Sequence, residues 1–145
     1  MSFRFKMIAS SYIISVKDGK ILLSRRCNTG YEDGKYSLPA GHIEENETLT
    51  EGGAREVFEE IGVHLKPQDL TLVHVMHRKH MDIRMDFFFS AELGQQKPMN
   101  KEPGKCDDLS WFSLSALPEN TIPYIRYAIE CYTKNMIYSE FGWIK

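Results

Sequence analysis

Cysteine is scarce in this chain of 145 residues. Cys27, Cys106 and Cys131 are far apart, odd in number and without CxxC spacing, so neither a zinc ribbon nor a dithiol redox site is indicated. Free reduced thiols in a cytoplasmic protein are the expectation. No apolar run approaches the roughly 20 residues needed to span a bilayer. The opening Met-Ser-Phe-Arg-Phe-Lys lacks the charged-then-apolar layout of a secretory signal. Net charge is only -2, which gives no reason to expect a nucleic-acid-coating or membrane-binding surface. Repeats, low-complexity tracts and linker-like stretches are missing too, so residues 1–145 are expected to form a single domain. What is present is ordinary globular composition, 42% hydrophobic and 26% charged, enough to bury a core.

Met7 to Val16 and Ile21 to Ser24 read as strands, and Asp18-Gly19 between them is a hairpin signal. Leu49 to Ile61 has helical periodicity, with Gly62 placed to end it. Leu70 to Met76, Arg84 to Ala91 and Leu109 to Leu114 read as further strands, with polar His77 to Asp82 as a solvated turn. Spacing of three does not keep His74, His77 and His80 on one face of a strand, so no metal site is expected there. Tyr124 to Ile137 reads as a closing amphipathic helix. The aromatic tail from Tyr138 to Trp143 could dock on the core or on a second subunit, leaving a homodimer open. Strands and helices mix without strict βαβ alternation, which favours an α/β sandwich with a mixed sheet.

The stretch from Gly41 to Val63, GHIEENETLTEGGAREVFEEIGV, carries the chemistry. At about 100° per residue, Glu56, Glu59 and Glu60 fall within a narrow arc of one helix face. Like charges there repel, and they sit near the C-terminus, where the helix dipole disfavours anions. Gly52 and Gly53 add a cost of about 1 kcal/mol each relative to alanine. A helix selected only for stability would not be written this way. Clustered carboxylates are the hard oxygen ligands that magnesium and manganese prefer, and a divalent cation removes the conflict.

Gly41, five residues, Glu47, seven residues, then Arg55-Glu56-Val57-Phe58-Glu59-Glu60-Ile61-Gly62-Val63 matches every fixed position of the Nudix box. Ser24-Arg25-Arg26, Leu38-Pro39-Ala40-Gly41, Trp111-Phe112 and Leu117-Pro118 extend the resemblance to small MutT-like members. That resemblance implies a Nudix α/β/α sandwich. It makes Glu56, Glu59 and Glu60 the ligands of Mg2+ (with Mn2+ able to substitute), and the Gly41 carbonyl a further ligand. Arg55 and Glu47 would orient the cluster. Glu56 is the first choice of general base, and Glu102 lies where such proteins often supply an extra carboxylate. Arg26 matches a position that contacts substrate phosphate. The loop before the last helix would approach a nucleobase, with Tyr124 to stack and Asn120 to hydrogen-bond; Tyr31 and Tyr36 could line the cleft.

The implied activity is metal-dependent hydrolysis of a nucleoside-diphosphate-linked small molecule. A nucleoside or deoxynucleoside triphosphate, including an oxidised one, would give the monophosphate and pyrophosphate. ADP-ribose, a dinucleoside polyphosphate and a capped RNA end are the alternatives; other nucleic acid and membrane are not expected partners. A non-catalytic nucleotide sensor is disfavoured because all four box glutamates are present. A diphosphate isomerase would need a nucleophilic cysteine, for which Cys27 is the only thiol expected near the site.

Overall fold

The structure is a computed structural model and describes residues 3–144. Strand β1 is Ile8–Ile14, β2 Val16–Lys17, β3 Lys20–Arg26, β4 Tyr36–Ser37 and β5 Ala40–His42. Helix α1 follows at Leu49–Ile61, then a 3-10 turn at Pro67–Asp69. β6 (Thr71–His80), β7 (Asp82–Ser90), β8 (Cys106–Ser113), α2 (Pro123–Thr133) and β9 (Tyr138–Phe141) complete the chain. One sheet has the order β5-β1-β7-β6-β9 and is mixed: β1 runs parallel to β7 and β6 parallel to β9, while the other neighbours are antiparallel. β2, β3, β4 and β8 form the second sheet, with β8 on β3. Among the described residues, no helix is long and apolar enough to cross a membrane.

Side chains alternate between two cores, as the two-residue period of a strand requires. Tyr12 and Ile14 of β1, Ile21 and Leu23 of β3 and Phe88 of β7 meet Ile125, Ala128 and Ile129 of α2. Ile13, Leu22 and Phe89 face the other way, against Val57 and Ile61 of α1. The helices therefore cover opposite faces, and the α/β/α arrangement follows. α1 starts at a reciprocal cap, in which the Thr48 side chain accepts from Glu51 N–H while the Glu51 carboxylate accepts from Thr48 N–H. It ends at Gly62, in the left-handed region.

Two expectations are corrected. His77 to His80 is not a turn: β6 continues to His80, and the hairpin reverses at Met81, with His80 paired to Asp82. Long arms persist because Arg78, polar in sequence, is buried in the sheet against Asp86. His74 is likewise buried, bonded to Met136 O and Ser139 Oγ. β8 begins at Cys106, three residues earlier than expected, because its first residues pair with Arg25 and Arg26 of β3. The aromatic tail docks on its own chain: β9 pairs with β6, and Trp143 Nε1 donates to His77 O.

Candidate active site

The carboxylate helix is held to the sheet by Arg55. Its Nε and Nη2 grip Glu47 Oε2 and Oε1 at 3.0 and 2.8 Å, a two-pronged pair, while Nη2 also donates to His42 O at 3.3 Å. Nη1 reaches Glu56 Oε1 at 2.9 Å and Glu59 Oε2 at 3.3 Å. One guanidinium thus offsets the repulsion that made this helix look unstable. Gly52, costly in a helix, makes room here: a Cβ would lie 2.7 Å from Ile43 Cδ1 and 2.8 Å from Glu47 Oε1 and would push one of them aside. Gly41 has the same explanation one step further in, since its Cβ would overlap the Glu56 side chain.

Arg55 and a backbone N–H from Glu44 hold the Glu47 carboxyl down at about 2, from an ordinary 4.5. A carboxyl depressed in the folded state stabilises above its unfolded pKa, and that contribution disappears as pH falls through the folded value. Stability is expected to decline between about pH 4.5 and 2, and Glu47→Gln should flatten that part of the profile. Thermal melts across the window check it; parallel profiles would show that the Arg55 grip contributes nothing.

Glu60 behaves oppositely. Burial first, then the adjacent Glu56 carboxylate, push its carboxyl well above the ordinary range, against a weak bond from Ala40 N–H at 3.3 Å. Glu102 adds to this repulsion, and four acidic side chains (Glu56, Glu59, Glu60 and Glu102) line the same cleft. Its volume is about 810 Å³, within the range of small-molecule sites. Among the described residues no three acidic, histidine or cysteine side chains stand converged as a closed metal cage. Magnesium does not ask for one: it takes one or two carboxylates and fills its remaining positions with water and substrate phosphate. Crowded carboxyls, with Arg55 bonded to Glu56 and Glu59 but not to Glu60, fit such an ion.

A family model described as the NUDIX domain matches residues 6–130. The chain belongs to the Nudix family. It is therefore an enzyme acting on pyrophosphate bonds, a hydrolase of nucleoside-diphosphate-linked substrates, and Nudix hydrolases generally require a divalent metal. Phosphatase NudJ of Escherichia coli K12 is 28% identical over 134 residues, covering 87% of this chain and 86% of that protein. The crystal structure of a MutT NUDIX hydrolase from Burkholderia pseudomallei superposes with a TM-score of 0.78 at 27% identity, covering 87% of this chain and 98% of that one. A NUDIX hydrolase from Nitrosomonas europaea gives 0.79 at 22% identity, over 97% and 82% of the two chains, and bears on the fold alone.

In this Nudix hydrolase the expected residues divide by position. Gly41, Glu56, Glu59, Glu60, Glu102, Arg26, Tyr31 and Tyr124 line the cleft; Glu47 and Arg55 stand behind the carboxylates and set their positions. Arg26 is braced by Tyr31 O at 2.8 Å and Thr29 Oγ1 at 3.1 Å, which holds its guanidinium at the cleft wall. Tyr36 and Asn120 are not brought to the cleft lining. Tyr36 is buried, edge-on to Phe112 with its hydroxyl donating to Asp108, because β4 pairs with β3 and turns that face inward. Asn120 spends its amide on Gly34 O, fastening its loop to the loop before β4.

Cys27 is not the cysteine that lines the cleft; Cys106 is, and burial raises its thiol pKa, the reverse of what a nucleophile needs. Sequence reasoning missed a buried cluster at the cleft. Tyr12 donates to Asp86 Oδ1 at 3.1 Å, its hydroxyl lies 3.0 Å from that of Tyr124, and Arg78 Nε donates to Asp86 Oδ2 at 2.6 Å. The available signal was parity: Met76 and Arg78, like Asp86 and Phe88, are two apart and share the face of an apolar partner.

Proposed function

We propose that this enzyme hydrolyses a nucleoside or deoxynucleoside triphosphate, oxidised forms included, to the monophosphate and pyrophosphate with Mg2+. The observation that carries the reading is the mixed charge of the cleft lining, in which Glu56, Glu59, Glu60 and Glu102 occur together with Arg25 and Arg26. A polyphosphate suits such a lining when cations sit on the carboxylates and the guanidiniums meet its remaining oxygens. Bound at Glu56, Glu59, Glu60 and the Gly41 carbonyl, magnesium would neutralise charge on the diphosphate oxygens and make water a better nucleophile.

The chain's own residues do the rest. Arg26, a planar donor suited to bidentate phosphate contact, orients the polyphosphate. Glu56, fixed by Arg55, accepts the proton of the attacking water as the new P–O bond forms and the anhydride bond breaks. Glu102, whose charge acts on Glu60 in the same cleft, is the second candidate for that role. Glu47 acts through Arg55, as a positioning residue.

A second reading follows from NudJ being named a phosphatase: cleavage at the terminal anhydride would release orthophosphate. A magnesium-supplemented panel of nucleoside triphosphates, ADP-ribose, dinucleoside polyphosphates and capped RNA, assayed for pyrophosphate and phosphate separately, decides between them. Pyrophosphate from a triphosphate well above all other signals is the expected result. Orthophosphate alone would install the phosphatase reading, and preferential cleavage of ADP-ribose, a dinucleoside polyphosphate or capped RNA would replace the triphosphate.

A further inference from the structure

We infer that Arg78 recognises a hydrogen-bond acceptor, a ring carbonyl oxygen, on the base of the substrate. The inference rests on the nucleotide reading above and adds the residue that selects the base. Arg78 and Asp86 are a buried ion pair, at 3% and 0% exposure, in a face otherwise continuous with the apolar core. Such a pair is an expensive thing to bury and gives little net stability over apolar packing, so its retention on a ligand cleft calls for another use.

The hydrogen bonds show which group is left to serve it. Both Asp86 oxygens accept here, Oδ1 from the Tyr12 hydroxyl and Oδ2 from Arg78 Nε. The Tyr12 hydrogen is thereby spent, so in the 3.0 Å contact between hydroxyls Tyr124 is the donor and its hydrogen points inward too. Arg78 Nη2 is 3.4 Å from Asp86 Oδ1 and 3.5 Å from the Tyr12 hydroxyl. Nη1 has no protein partner among the described residues, yet it is not among their sealed, unsatisfied atoms. Arg78 lines the cleft, so Nη1 is the donor that reaches it.

Its orientation is fixed from the other side as well. The guanidinium carbon lies 3.6 Å from the Tyr124 ring centroid, a cation–π contact, and Tyr124 also lines the cleft. Here the cleft offers one pre-aimed donor beside an aromatic ring, with the arginine charge already balanced by Asp86. Balanced charge suits a neutral ring better than another phosphate. A donor at this point favours a carbonyl over an amino group, as arginine does when it reads guanine.

Inosine and adenosine monophosphates differ at C6, oxygen against amino, and with it at the adjacent N1, which carries a hydrogen only in inosine, and they are the probes. Calorimetric titration of the magnesium-loaded enzyme should show inosine monophosphate bound about tenfold tighter. Arg78→Lys keeps a cation for Asp86 but lacks the planar fork, and should abolish that preference while leaving inorganic pyrophosphate binding unchanged. If Arg78→Lys melts early, Arg78→Gln with Asp86→Asn removes both charges together and must give the same loss. Equal binding of the two monophosphates by wild type, or a preference that survives in the variants, overturns the assignment. An enzyme that cleaves nucleotides yet shows no such preference refutes Arg78 alone; one that cleaves none of the panel removes the nucleotide reading and this inference with it.

Discussion

Replacing Glu59 with glutamine is expected to lower kcat by about two to three orders of magnitude, the equivalent of about 3–4 kcal/mol of lost transition-state stabilisation. Its side chain is 49% exposed, and its one side-chain ion pair among the described residues is with the end of an arginine already held by Glu47, Glu56 and Glu44. Glutamine keeps the shape and loses the charge. Stability should therefore move by no more than about 0.5 kcal/mol, as for other surface substitutions. Few positions separate chemistry from folding so cleanly. Steady-state kinetics with a parallel thermal melt reads both, and most of the activity surviving in a folded Glu59→Gln enzyme would remove Glu59 from the metal-ligand set.

Gly41→Ala is expected to do comparable damage through position alone. The added methyl would overlap Glu56 Cγ, Cδ and Oε1, the flexible end of a side chain, so the fold can yield locally. What yields is the proposed base. Displacement by about 1 Å costs on the order of 10²-fold in rate. Freed from its place, Glu56 also ceases to crowd Glu60, so the variant should bind magnesium more weakly. Near-normal kcat in Gly41→Ala would mean that Glu56 is not held where the reaction occurs.

Much of this was legible in sequence because α1 is local. Its capping residue, its ending glycine and its three carboxylates all act within a few residues of one another, and the helix occupies Leu49–Ile61 as periodicity places it. The Asp18-Gly19 turn between β2 and β3 was legible for the same reason, both residues adopting positive φ. Long-range pairings were not. Arg78 reads as a solvated turn residue until the register sets it beside Asp86 and under Tyr124, and Tyr36 reads as a cleft aromatic until β4 rotates it onto Phe112. Sequence shows which residues are polar; the sheet decides which of them are buried.

The gap between Gly52 and its apparent cost illustrates the same point. Helix propensity counts it as a defect, whereas the fold uses the missing side chain to let Glu47 reach Arg55. Local rules fail there because a functional arrangement overrides them.

Metal dependence tests the central claim most directly. Enzyme stripped with a chelator should lose its nucleotide hydrolysis, remain folded by its melting profile, and regain activity on titration with magnesium. A rate that chelation leaves untouched would contradict a reaction built on Glu56, Glu59 and Glu60.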